Sequence, residues 1–389
     1  MFSNTVFPIL ALKNQNSDLR SQTSVKTQPR VLALSSGGGH WVQLLRLRPA
    51  FKDCDVTYAT VGRGYEPEIE GAKFRAVIDS NRDQKLKLIL SFFSIAWLIL
   101  TKRPHTIVST GAAPGFFAIF IGRLLGKKTI WVDSIANAEE LSMSGQKAGK
   151  YATHWLTQWE HLAKPEGPHY FGNVLGDASA SPNSEIRSQK SEVNSQNSDL
   201  QANPSNLSPQ SLDNGSQVSV QRSAISDRNK FRIFVTVGTD QHFNRMVKII
   251  DKWAANNPHI EIFAQIGESS CQPTHLNYSK FLAPQEFVEQ IKSASLIIGH
   301  AGMGTILTAL KHQKPILVMP KLAKLGEHRN EHQTATAKYL SDQGKINVAF
   351  DEHALVAKLN NLKELTATDS VGAYANTTLT EKLSAFRQN

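Results

Sequence analysis

Gly299-His300-Ala301-Gly302-Met303-Gly304-Thr305 follows the apolar run Leu296–Ile298 and leads into a helical pattern over Thr305–His312. A buried strand, a bend of small residues and a helix start, in that order, are the repeating unit of a parallel sheet. The amides of a helix N-terminus opened by glycines suit a diphosphate without a metal, and a buried turn is the plainer use of the same residues. The alternation recurs to either side. Arg232–Val237, Ile260–Gln265, Ile316–Met319 and Ile346–Phe350 read as strands, and Phe243–Ala255, Pro284–Ser293 and Glu331–Asp342 as the helices between them.

A second block closer to the amino terminus has the same grammar. Its predicted strands are Val31–Leu34, Val56–Thr60, Phe74–Ile78, Thr106–Val108, Thr129–Val132 and Trp155–Leu156; its predicted helices lie near Gln43–Leu47, Lys85–Leu100 and Phe116–Leu125. Strict alternation predicts an α/β protein with two Rossmann-like domains, each a parallel sheet covered on both faces. The expected organisation is a flexible segment over 1–29, a first domain over 30–176, a linker over 177–229 and a second domain over 230–389. The linker follows from composition: Ser, Asn, Gln and Asp dominate and no aromatic occurs, so the stretch cannot bury enough surface to offset its ordering entropy.

Composition narrows the function classes. The 389 residues hold 43 basic and 33 acidic side chains, a net charge of +10, which suits nucleic acid, an anionic bilayer or phosphorylated small molecules. Nucleic acid is disfavoured because no zinc-finger spacing or aromatic-interleaved basic strand is present. Cys54 and Cys271 are the only cysteines and lack ligand spacing, which fits a reducing cytoplasm and supports neither disulfides nor zinc. No signal peptide is read at the amino terminus. Leu86–Leu100 is apolar, shorter than the ~20 residues of a spanning helix, and flanked by Lys85, Lys102 and Arg103. It reads either as a buried helix or as a segment dipping into one leaflet with basic residues on the headgroups.

In such sheets ligands bind beyond the carboxyl ends of the strands, so the loops there are the candidates for chemistry. Ser35-Ser36-Gly37-Gly38-Gly39-His40 follows the first strand; its glycines permit a sharp turn and close backbone approach, and His40 places an imidazole at its mouth. Ser109-Thr110-Gly111-Ala112-Ala113-Pro114-Gly115 follows another, where packing and ligand contact explain the small residues equally. Asp133 and Ser134 end a third strand, and Gly238 and Thr239 end the first strand of the second block, where Thr239 also suits a helix cap. Asn330, His332 and Gln333, in the polar stretch after Pro320, suit hydrogen bonds to sugar hydroxyls better than a metal, because no helical ligand pair with an acidic partner is present.

With these motifs in place the chain resembles the family 28 glycosyltransferases of the GT-B kind. Ser36-Gly37-Gly38-Gly39-His40, Ser109-Thr110-Gly111, Asp133-Ser134, Leu141-Ser142-Met143-Ser144-Gly145, Gln158-Trp159-Glu160 and Tyr170-Phe171-Gly172 look like the acceptor-side, PssD-like half of the two-part transferases. Val235-Thr236-Val237-Gly238-Thr239, Gly299 to Thr305, Lys314-Pro315 and Asn330-Glu331-His332-Gln333 look like the donor-side, PssE-like half and the MurG carboxyl domain. The likeness covers Arg30–Gly176 and Lys230–Phe350 and presents as a fusion of two halves that are commonly separate chains. It departs at Thr308, where MurG-like domains carry a ribose-binding acid, and at the amino terminus, where eukaryotic acceptor subunits carry a membrane span.

The resemblance implies an inverting hexosyltransferase that moves a sugar from a UDP-sugar to a lipid-diphosphate-linked saccharide in exopolysaccharide, capsule or glycan biosynthesis. It implies a peripheral enzyme on the cytoplasmic face of the inner or plasma membrane, with no metal or other cofactor and no nucleic-acid partner. His40 is the expected base, and Gly37, Gly38, Gly39, Gly111, Asp133 and Ser134 form the acceptor-side loops. Gly302, Met303, Gly304 and Thr305 are expected to cradle the diphosphate with Gly238, Thr239, His300 and Ala301, while Asn330, His332 and Gln333 read the sugar. Gly302→Val is then expected to obstruct the phosphate path. Glucuronic acid, galactose and N-acetylglucosamine all remain open as the sugar. A sugar-nucleotide-binding scaffold and a non-hydrolysing UDP-sugar epimerase are the competing readings.

Overall fold

Val31, Leu32, Ala33 and Leu34 are all buried, as are all four residues of Thr106–Ser109 and of Ile316–Met319. Strands buried on alternate side chains in both directions must have cover on both faces, which places them in the middle of parallel sheets. The computed structural model describes residues 28–69, 71–78, 85–177, 231–365 and 371–388. The linker expected over 177–229 falls outside them except for Asp177, as does the amino-terminal segment except for residues 28 and 29.

The first sheet has seven strands: β1 (Arg30–Leu34), β2 (Asp55–Val61), β3 (Lys73–Val77), β4 (Thr106–Ser109), β5 (Lys128–Val132), β6 (His154–Thr157) and β7 (His169–Tyr170). Their order is β3-β2-β1-β4-β5-β6-β7, every pair parallel. The second sheet has six: β8 (Arg232–Thr236), β9 (Glu261–Gln265), β10 (Asn277–Ser279), β11 (Leu296–His300), β12 (Ile316–Met319) and β13 (Asn347–Val348). It runs β10-β9-β8-β11-β12-β13, again all parallel. Both are doubly wound, so each has a switch point: between β1 and β4 in one, between β8 and β11 in the other. The molecule has the two-sheet GT-B architecture that the motifs suggested.

Helix α1 (Gly39–Arg46) begins earlier than its apolar periodicity predicted, so Gly39 and His40 belong to its first turn. Helix α2 (Lys85–Lys102) packs on α3 (Ala112–Leu124) through one face that buries Ile95, Leu98 and Ile99. Leu86, Ile89, Leu90, Phe93, Trp97 and Leu100 lie on its other face and are exposed. Spacings of three, four and seven residues put these six along one stripe. No helix among the described residues is long and apolar enough to cross a membrane.

The two halves share one buried cluster in which Trp41 and Val108 join Phe234, Ile297 and Ile306. Across this junction the Thr336 hydroxyl donates to the Ala136 carbonyl at 2.8 Å, and the Tyr339 ring stacks on His161 with centroids 5.2 Å apart. The end of the chain adds a second tie. The helix Thr377–Gln388 packs on the amino-terminal sheet's side, capped by Asp177, whose carboxylate accepts the Thr377 amide at 3.0 Å and its hydroxyl at 2.6 Å. Phe386 stacks on His154 with centroids 3.7 Å apart. By packing, then, this helix goes with the first sheet, although in sequence it follows the second.

Arg46, buried in the last turn of α1, holds that crossing. It donates to the carbonyls of Leu175 (3.1 Å), Gly372 (2.6 Å), Tyr374 (3.1 Å) and Val174, with no carboxylate partner among the described residues. Burial lowers its pKa to about 10. Four carbonyl acceptors are what keep a charged guanidinium tolerable there.

Candidate functional site

A cleft of about 250 Å³ opens between the sheets' carboxyl ends, lined from one half by Gly38, Gly39, Val42, Tyr65 and Glu68. From the other half come Gly238, Thr239, Gln265, His300, Gly302, Met303, Gly304, Thr305 and Thr308, with an apolar wall of Leu282, Pro284, Phe287 and Val288. The two glycine turns meet here. A Cβ on Gly39 would stand 3.1 Å from the Gly304 amide nitrogen, and one on Gly304 would stand 3.2 Å from that of Gly39.

Helix α1 starts at Gly39, and a helix over Met303–Lys311 starts just after Gly302. Neither has a side-chain cap or an acidic residue in its first turn. Each helix N-terminus carries unsatisfied amides and about half a positive charge. Two such ends brought together repel unless an anion lies between or beside them. The cleft is therefore electropositive from backbone alone.

His40 does not line the cleft; it follows Gly39 and lies in the switch-point crevice of the first sheet. Its Nδ1 is 2.9 Å from the Thr110 carbonyl, while the Thr110 hydroxyl donates to the His40 carbonyl at 2.7 Å. A carbonyl can only accept, so Nδ1 carries the proton and Nε2 keeps its lone pair. Burial lowers the pKa below the usual 6.5, with the Thr110 carbonyl and the charge of Asp133 pulling the other way. Gly111, at φ +140°, makes this possible: a Cβ there would lie 2.5 Å from the ring's Cε1 and Nδ1. The Ser109–Gly115 motif thus serves imidazole placement. Gly37 has a similar task, since its Cβ would fall 2.8 Å from the Tyr65 hydroxyl, which accepts the Gly38 amide at 2.9 Å.

His300 repeats the arrangement in the second sheet, but more tightly. Its ring is wedged between Gly238, at φ +79°, and Gly302; a Cβ on the first would come within 2.6 Å of Cε1 and Nε2, and one on the second within 2.7 Å of Cε1. Burial, reinforced by Lys321, drives its pKa down to about 3, against an opposing contact with the Thr236 backbone. His300 is neutral at physiological pH and brings no charge to an anion. A Cβ at Gly302 meets this imidazole first, so Gly302→Val crowds the ring as well as the phosphate path it is expected to obstruct.

Other expected residues turn inward. Asp133 is buried and saturated: it accepts from the Trp131 indole (3.0 Å), Asn137 Nδ2 (3.0 Å), the Ser142 amide (3.0 Å) and the Ser142 hydroxyl (2.6 Å). It shapes its own loop and has no free oxygen edge for a substrate. Ser134 accepts from Gln43 Nε2 at 2.9 Å, and Gln43 Oε1 in turn accepts the Ile135 amide and Gln158 Nε2, each at 2.9 Å. This buried chain fixes α1 against the ends of β5 and β6.

Ala301 is buried, and its amide donates to Gln333 Oε1 (3.1 Å), which also accepts the Lys321 amide (3.1 Å). That amide is engaged and unavailable to a phosphate, and Gln333 joins two loops. Asn330, His332 and Gln333 do not line the 250 Å³ cleft. Of the expected donor residues, Gly238, Thr239, His300, Gly302, Met303, Gly304 and Thr305 do. Thr308 also faces it, with its hydroxyl donated to the Gly304 carbonyl at 2.6 Å.

Sequence reasoning missed the clamp beneath this half. Lys321 is fully buried, donating to the carbonyls of Asp240 (2.5 Å) and Gln241 (2.8 Å), and burial lowers its pKa to about 8 despite the nearby Asp240 and Glu327. Arg245 grips Glu327 with two bonds of 2.9 and 2.8 Å. Its position directly after the strand Ile316–Met319 and Pro320 was the available signal for Lys321. For Tyr65 and Glu68 the signal was Gly62-Arg63-Gly64, a glycine turn directly after β2, whereas no glycine turn precedes the wall from Leu282 to Val288.

Residues 232–385 match the model of the glycosyltransferase family 28 C-terminal domain. The carboxyl-terminal half is a family 28 glycosyltransferase domain. Two curated relatives match as well. One is the UDP-N-acetylglucosamine–N-acetylmuramyl-(pentapeptide) pyrophosphoryl-undecaprenol N-acetylglucosamine transferase of Prochlorococcus marinus, 31% identical over 83 residues, 20% of this chain and 22% of that one. The other is the UDP-N-acetylglucosamine transferase subunit ALG14 of Eremothecium gossypii, 25% identical over 166 residues, 34% of this chain and 74% of that one. The chain thus spans about a fifth of the first relative's length.

Among solved structures, Acinetobacter baumannii MurG superposes with a TM-score of 0.51 at 14% identity, over 92% of this chain and 99% of that one. The UDP-GlcNAc 2-epimerase of Neisseria meningitidis, bound to UDP-GlcNAc, superposes with 0.57 at 11% identity, over 92% and 100%. Identities this low speak for the fold alone, and the family 28 domain is the finer finding.

Proposed function

We propose that the protein is an inverting, UDP-sugar-dependent glycosyltransferase whose acceptor is a lipid-diphosphate-linked saccharide. The meeting of two uncapped helix N-termini, at Gly39 and at Met303, in a cleft between the sheets carries this reading. The relatives' printed activities agree with it: one names a pyrophosphoryl-undecaprenol acceptor, and both name UDP-N-acetylglucosamine.

Each part of the donor finds a chemical counterpart. The flat uracil suits the wall of Leu282, Pro284, Phe287 and Val288, and the diphosphate suits the amides of Met303, Gly304 and Thr305 with those of α1 opposite. His40 Nε2 takes the proton of the acceptor hydroxyl as its oxygen bonds to the anomeric carbon. The bond from that carbon to the UDP oxygen breaks, its electron pair leaves with the diphosphate, and the helix amides receive the charge. Amides suffice for that charge in this reading, so a chelator leaves the rate unchanged. Glucuronic acid, which fits the basic balance of the chain, is the first sugar to try, in exopolysaccharide or capsule assembly, followed by galactose and N-acetylglucosamine.

The exposed stripe of α2, with Leu86 at 72% and Trp97 at 70% exposure, supplies the membrane contact of this reading, set among Lys85, Lys87, Lys102 and Arg103. A stripe of large apolar residues rimmed by lysine and arginine suits an anionic leaflet, the face on which a cytoplasmic enzyme meets its lipid. Incubation of the full chain with labelled UDP-sugars, with and without membrane lipid extract, tests the reading. Transfer of label into lipid and release of UDP only when extract is present is the expected result. Donor turnover that ignores the extract points to an epimerase, and binding without turnover to a scaffold; either result overturns it.

A further inference from the structure

We propose that Glu68, a residue of the amino-terminal half, receives the paired hydroxyls of the donor nucleotide's ribose, so that both halves grip the nucleoside. The proposal rests on the donor reading above. Glu68 sits in the short turn Glu66–Ile69 after β2, a segment that reaches the opposite half: a Cβ on Gly64 would lie 3.2 Å from Pro284 of the apolar wall. Among the described residues it is the only carboxylate lining the cleft.

The side chain is held from behind. Its Oε2 accepts from the indole of the fully buried Trp41 at 3.2 Å, and its backbone carbonyl accepts from the Arg48 guanidinium. No hydrogen bond to Oε1 exists among the described residues. Burial raises the carboxyl's pKa, while the Trp41 bond and the charges of Lys311 and Arg48 pull it back. Glu68 shares the cleft with Thr308, one turn beyond the amides at which the helix from Met303 begins.

Chemistry then selects the ligand group. Between a base on the apolar wall and a diphosphate at the amides, a nucleoside diphosphate has a ribose, which offers two neighbouring hydroxyl donors and no charge. An ionised carboxylate is an acceptor for such a pair. Thr308, which donates its hydroxyl to the Gly304 carbonyl, can still accept through its oxygen, but one neutral hydroxyl oxygen is a weaker acceptor for a pair of hydroxyls than a carboxylate.

Calorimetric titration of the full chain with UDP and with 2′,3′-dideoxy-UDP tests this. The parent should bind UDP more tightly by about 10–100-fold, the worth of hydrogen bonds to a charged group. Glu68→Gln, whose amide oxygen still accepts the Trp41 indole, should bind both ligands alike. Equal binding of the two by the parent overturns the proposal without any variant, and so does undiminished discrimination in a folded Glu68→Gln protein. Failure of the parent to bind UDP at all overturns the donor reading itself, a separate outcome.

Discussion

Gly302→Ala adds one methyl group at the tightest point of the cleft. The backbone there has φ −87° and ψ 130°, open to any residue, so conformational strain contributes nothing. The methyl would lie 2.7 Å from Cε1 and 2.8 Å from Cδ2 of His300, and closer still to Nε2, where carbon contacts prefer ~3.5–4.0 Å. The ring cannot retreat, because Gly238 confines its other side. Either the imidazole leaves its slot or the Gly302 turn moves, and overpacking of this kind costs about 1–3 kcal/mol. Movement of the turn also displaces the amides that begin at Met303, and UDP affinity should fall by about 10–100-fold, the effect of misplacing binding groups by ~1 Å. The decisive measurement is a cycle with His300→Ala, which vacates the ring's space and should return about 1–3 kcal/mol as favourable coupling. Urea unfolding at constant m-value reads the stability and calorimetry reads the UDP affinity. If Gly302→Ala alone changes stability by less than about 0.5 kcal/mol, or the double variant loses the sum of the singles, the wedged imidazole is not what these glycines accommodate.

Three further outcomes follow from the same geometry. His40→Ala should lower kcat by about 10²–10⁴ and leave UDP affinity unchanged, and the acid limb of the parent's kcat/KM should have its midpoint below 6.5, since burial depresses that imidazole; a midpoint above 6.5 contradicts the role. His300, at about 3 when folded against about 6.5 unfolded, contributes stability that is complete above pH 6.5 and is lost as pH falls toward 3, at up to ~1.4 kcal/mol per pH unit; unfolding free energies of the parent and His300→Gln at pH 7, 6 and 5 should diverge in slope, and parallel slopes count against it. Arg46→Met strips donors from four carbonyls and should destabilise the chain by ~3 kcal/mol or more, with faster amide exchange in the helix Thr377–Gln388 than elsewhere; uniform acceleration across both sheets would assign Arg46 to general stability instead.

Much of the site was legible because glycine turns after apolar strands announce where backbone amides come free. What those turns accommodate was not legible. Gly111, Gly238 and Gly302 each leave room for an imidazole, and the histidine served by Gly111 lies 71 positions earlier in the chain, at His40. Asp133 ended as an internal tie because its own loop, at Trp131, Asn137 and Ser142, claimed both of its oxygens, and Ala301 and Gln333 did so because Gln333 reaches across from another segment to the Ala301 and Lys321 amides. A polar residue at a strand end looks the same in sequence whether its bonds go to a ligand or to the next loop.

The alternation of apolar runs and helical periods, by itself, determined two parallel sheets and the loops that cap them, because side-chain period and local turn chemistry are short-range properties. Only tertiary structure decided that the two glycine turns face each other across one cleft, that Glu68 and the Leu282–Val288 wall complete it, and that the last helix returns to the first sheet through Arg46. These are pairings between residues far apart in the chain, set by how two separately legible halves bury a shared surface, and no local pattern encodes them.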